Sequence, residues 1–81
     1  MAIDARRTLL GQRLRQLQEY LEALCHDNGI TVAELRAKDN RQCLVAIRRE
    51  FCRAAREQGF SLPTIGAALH KHHTTVIHLL K

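Results

Sequence analysis

No acidic residue lies between Phe60 and Lys81 in this 81-residue chain. A histidine base there has no carboxylate to orient it, so catalysis is not expected despite four histidines in that stretch. Aromatics are equally scarce: Tyr20, Phe51 and Phe60 are all there are. Read as core residues, they leave no platform on which single-stranded nucleic acid could stack. No C-x-x-C pair occurs, and Cys25, Cys43 and Cys52 make an odd count, which argues against a disulfide framework and for a reducing compartment. Cys43 and Cys52 would fall on opposite sides of one helix, and both are read as packing residues. No apolar run approaches the roughly 18 residues of a membrane span. MAIDARRTLL has no apolar core of signal-peptide length, so a cytoplasmic chain is expected. Strand-like alternation, internal repeats and low-complexity tracts are missing too.

What is present is a lopsided charge. Residues 1–40 hold six basic and six acidic side chains, whereas residues 41–81 hold seven basic ones against Glu50 and Glu57 alone. The whole excess of +5 lies in the second half, the footprint of a polyanionic partner.

The apolar pattern predicts an all-α domain of about five helices over residues 1–81. Leu10, Leu14, Leu17, Leu21 and Leu24 alternate steps of four and three, one stripe of a leading amphipathic helix from Asp4 to Asn28. That stripe faces the core or, alternatively, forms the seam of a homodimer or a docking face for a helical partner. Asn28-Gly29 stops the helix. Residues 30–81 form the helical core. Thr31 and Glu34 make a capping box for a short second helix ended by Asp39-Asn40. In RQCLVAIRREFCRAAREQ, Leu44, Ile47, Phe51, Ala54 and Gln58 are placed along the inner side, with Arg49, Arg53 and Arg56 elsewhere. Ser61 caps the next helix, Pro63 falls in its first turn, and Gly66, Ala67 and Ala68 permit close contact with a neighbour. His70-Lys71 is a tight connection, and the last helix runs from about His73 to Leu80.

Two short helices joined by a tight turn at 61–80 fit a helix-turn-helix, whose second helix enters the major groove of double-stranded DNA by its N-terminal residues. His72, His73 and Thr74 stand at that start, while Val76, Leu79 and Leu80 return to the core. Thr74 offers a hydroxyl and a methyl able to meet a thymine methyl. A metal site fits less well: His73 and His78 are about 140° apart around a helix, and His70, His72 and His73 lack a Cys or carboxylate at ligand spacing. No metal and no cofactor is expected.

Four segments in order, ITVAELRAK (Ile30 to Lys38), an arginine-rich helix, SLPTIG (Ser61 to Gly66) and HHTTVIH (His72 to His78), resemble the C-terminal DNA-binding domain of the bacterial replication initiator DnaA. That family carries S-L-P-x-I-G followed by D-H-T-T-V-x-H, and the resemblance spans roughly residues 17–80. It implies that His73 and Thr74 read bases and that Thr75 meets the groove or its phosphates. It implies phosphate contact at Leu62 and Pro63, and a basic turn residue at Lys71. Arg48 resembles the arginine that enters the adjacent minor groove, with Arg48-Arg49 where the family has Arg-Gln. His78 is expected to face the surface or a phosphate, and Arg49 to anchor phosphates. His72 replaces the family's Asp, a helix cap and acceptor for a cytosine amino group, which weighs against the family's usual target box. The turn is also one residue shorter.

No G-x-x-x-x-G-K-[ST] occurs, so a complete initiator with its ATPase is excluded. The expectation is a stand-alone, phage-derived regulator of replication or transcription, the Met1 start weighing against a fragment. The rival is a protein-interaction module built on the leucine stripe. With five to seven phosphates neutralised, the log–log salt slope would be roughly −4.5 to −6.

Overall fold

The computed structural model describes the backbone of residues 5–81 and the side chains from residue 11 onward. Five helices follow one another: α1 (Ala5–Asp27), α2 (Val32–Arg36), α3 (Gln42–Glu57), α4 (Leu62–Leu69) and α5 (His73–Leu80). Among the described residues there is no strand, and no helix is long and apolar enough to cross a membrane. Asp4, the expected start of α1, lies outside the described residues.

Local chemistry sets the boundaries. Asn28 closes α1 by donating its side-chain amide to the Leu24 carbonyl at 2.8 Å, and Gly29 follows at φ +68°. Thr31 and Glu34 form the reciprocal capping box on α2. Ser61 accepts from the Thr64 amide at 3.3 Å to cap α4, with Pro63 in the first turn, where a missing N–H costs nothing.

α3 is the central element, contacting each of the other four helices. Leu21, Leu35, Phe51, Ile65, Leu69 and Val76 are wholly buried around it. Full burial of such side chains contributes about 2 kcal/mol each. The inner face of α3 differs from the predicted stripe. Leu44, Ile47, Arg48, Phe51, Cys52 and Ala55 face inward, while Ala54 is half-buried and Gln58 exposed. The inward row turns with the 3.6-residue helix, whereas the predicted row, stepping by threes and fours, drifts off it toward Gln58.

The leucine stripe is largely internal. Leu17, Leu21 and Leu24 are buried in this chain's own core, and Leu14 is exposed at 42%. The core-facing reading of the stripe therefore holds for three of its five leucines, and the Leu10 side chain lies outside the described residues. Two further expectations are corrected. Cys43 is exposed, while Cys25 and Cys52 are buried; burial pushes the Cys52 thiol up to about 11. Tyr20 is exposed along one edge and stacks on buried Phe51 at 5.9 Å, and Phe60 is half-buried beneath the Arg13 guanidinium.

Candidate nucleic-acid interface

α4 and α5 meet across a three-residue turn, His70 to His72. His70 takes the left-handed conformation (φ 55°, ψ 38°), and Lys71 donates its amide to the Gly66 carbonyl at 2.8 Å. A Cβ on Gly66 would lie 2.6 Å from the Lys71 carbonyl oxygen and 3.4 Å from the His73 nitrogen. Glycine is therefore required where the turn folds back over α4. This contact fixes the angle at which α5 leaves the body.

α5 has two faces. Val76 and Leu79 are buried and Leu80 is half-buried against the core. His73, Thr74, Ile77 and His78 are exposed, and Thr75 is half-buried at the flank. His72 is the N-cap: its Nδ1 accepts from the Thr74 amide at 3.3 Å and lies 2.8 Å from the Thr74 hydroxyl. Its ring packs on that of His73, centroids 4.2 Å apart. The polar start and apolar back expected of a groove-entering helix are both present. Leu62 is half-buried and Pro63 exposed at the start of α4.

Several cations expected to meet DNA do structural work. Arg48 is 2% exposed, donating from Nε to the Leu35 carbonyl at 2.7 Å and from a terminal nitrogen to that of Ala37 at 2.8 Å. This corrects the minor-groove expectation. The side chain sits on the inner row of α3 and supplies donors to the orphan carbonyls at the end of α2. Lys71 reaches the same end from the turn, donating to the Arg36 and Ala37 carbonyls at 3.0 and 2.7 Å. Burial lowers the Lys71 pKa, and the Arg48 and Lys38 charges lower it further. Arg49 is half-buried and donates to the Leu79 carbonyl of α5 at 3.0 Å. Arg36 does the same for Ala68 of α4 at 2.9 Å, and Arg13 for Gln58, the C-cap of α3, at 2.6 Å.

The loop between α2 and α3 supplies what the sequence pattern missed. Lys38 and Asn40 share a shallow cleft with Lys71 and Thr75, floored by Arg48. Arg41 follows directly, exposed at the start of α3 and bonded to Asp39 at 2.7 Å. The backbone amide of Arg41 also donates to Asp39 and, ahead of the guanidinium charge, holds that carboxyl below its usual range. An Arg-Gln dipeptide stands at Arg41-Gln42, seven residues ahead of Arg48-Arg49.

The histidines do not converge. Among the described residues, no group of three His, Cys, Asp or Glu side chains is placed to hold a metal ion. No curated protein and no solved structure matches the chain. The family model for the bacterial DnaA protein helix-turn-helix matches residues 17–81, which begins at the first buried leucine of α1 among the described residues and includes the whole α4–turn–α5 unit. Since that match covers most of the sequence, the chain belongs to the bacterial DnaA helix-turn-helix family, whose domains bind DNA.

Proposed function

We propose that this chain binds double-stranded DNA sequence-specifically in the cytoplasm, at replication-initiator-like or regulatory sites, and acts by occupancy without catalysis. The first turn of α5 enters the major groove, where His73 and Thr74 meet base edges and Thr75 lies at the groove wall. Lys38, Arg41 and Lys71 line one flank, with Arg41 in reach of the neighbouring groove. The first-turn amide of Leu62, beside Pro63, is available to a phosphate on the other side. His78, a turn further along the exposed face, meets the backbone. The observation that carries this reading is the exposed His73–Thr74 start over buried Val76 and Leu79, beside a cationic rim.

Arg48 and Arg49 are engaged within the fold, so about three to five phosphates are neutralised, giving a log–log salt slope of roughly −3 to −4.5. Titration of a labelled random-sequence duplex at several salt concentrations measures it, and a slope near zero would refute the reading. The interaction-module alternative loses support from the burial of Leu17, Leu21 and Leu24.

A further inference from the structure

The cap of α5 fixes the direction of every hydrogen bond at its outer edge. A backbone amide can only donate, so His72 Nδ1, which receives the Thr74 N–H at 3.3 Å, carries a lone pair. In a neutral imidazole the proton then resides on Nε2. The Thr74 hydroxyl, 2.8 Å from the same Nδ1, must therefore be the donor in that contact. Its proton points at the cap, which leaves its two lone pairs free to accept. The tilted stack on His73 holds the imidazole plane, and both rings are exposed.

We infer that His72 is a specificity-determining residue that presents Nε2–H as a donor to the major groove, selecting a guanine acceptor edge over a cytosine amino group. Thr74 is its complement, presenting an acceptor and a methyl. The two side chains thus display opposite polarities set by one shared nitrogen. Guanine offers N7 and O6 as acceptors in the major groove, whereas cytosine offers an amino donor that would face the Nε2 proton. The inference rests on the proposed placement of α5 in the groove.

Three proteins separate the possibilities: wild type, His72→Asn and His72→Asp. Asn and Asp are both strong helix caps, so α5 keeps its start in each. An Asn cap accepts through its oxygen and still offers an outward NH₂ donor, whereas Asp offers only acceptors. Each protein is used to enrich a pool of randomised duplexes, and bound sequences are counted. The wild type and His72→Asn should favour guanine over cytosine at one position, on the order of tenfold. His72→Asp should invert that preference at that position alone. The same preferences in all three proteins, or cytosine enriched by the wild type, would overturn the inference while leaving duplex binding intact. A pool retained by none of them would overturn the proposed function and the inference together. Independently of DNA, long-range proton–nitrogen NMR of the wild type at about pH 8, where an imidazole is ordinarily neutral, should show His72 protonated at Nε2. A proton on Nδ1 would overturn the inference by itself.

Discussion

Arg48 on α3 and His73 on α5 carry similar polarity in the sequence and opposite positions in the molecule. One is buried among Phe51, Cys52 and the end of α2; the other stands clear of the surface. The difference comes from helix phase. Position 48 follows Leu44 by four and precedes Phe51 and Cys52 by three and four, so the backbone turns it inward whatever it carries. Position 73 opens a helix whose inner row is Val76, Leu79 and Leu80. A charge on an inner row is a fold residue, and a polar group off that row is available to a ligand.

The sharpest way to break this contrast is Arg48→Ala. Removing the guanidinium strips the Leu35 and Ala37 carbonyls of their side-chain donor, at a cost of about 3 kcal/mol or more. Against a total on the order of 5 kcal/mol, that leaves a barely stable chain. Thermal unfolding followed by circular dichroism should shift down by on the order of 15 °C. An unchanged melting curve with lost DNA binding would restore the minor-groove role.

Gly66→Ala comes next. Its methyl meets backbone at the turn, so α4 and α5 must separate, costing about 2 kcal/mol in denaturant unfolding. A neutral result would mean that the α4–α5 contact is looser than the geometry shows. Thr74→Ala probes the outer face and should leave stability within about 0.5 kcal/mol. Discrimination between preferred and random duplexes should fall by roughly tenfold, measured by competition binding. Loss of fold instead would place Thr74 with Arg48.

The smallest effect concerns Asp39. Its carboxyl pKa is lowered in the folded chain, chiefly by the Arg41 amide, so the associated stability is present above the ordinary value near 3.8. It is lost as pH falls through the lowered one. Asp39→Asn should remove that fraction of the acid dependence, read by comparing unfolding midpoints at about pH 5 and about pH 3. Equal acid dependence in both proteins would show that the loop contact contributes nothing.

Much of this was legible in the residues. Helix ends were, because Asn28-Gly29, Thr31 with Glu34, and Ser61 with Pro63 act through neighbours in sequence. The two faces of α5 were too, since its polar start and apolar back occupy eight consecutive residues. The phase of α3 was harder: hydrophobicity alone passes over an inner-row arginine, so Arg48 was placed outside and the row was carried on to Ala54 and Gln58. Lys38 and Asn40 were missed for another reason. Their proximity to Lys71 and Thr75 bridges some thirty residues of chain, which no local pattern encodes.

The arginine and lysine grips on helix ends have a consequence for kinetics. Arg13, Arg36, Arg48, Arg49 and Lys71 bind main-chain oxygens, which carry a dipole but no net charge. Bracing with carboxylates would have cancelled those cations; bracing with carbonyls leaves each one counted in the field outside the molecule. The same side chains that hold the helices in register therefore enlarge the radius over which a passing duplex is captured. Added salt should slow that capture within a Debye length of roughly 8 Å while scarcely loosening the braces, which act at contact distance.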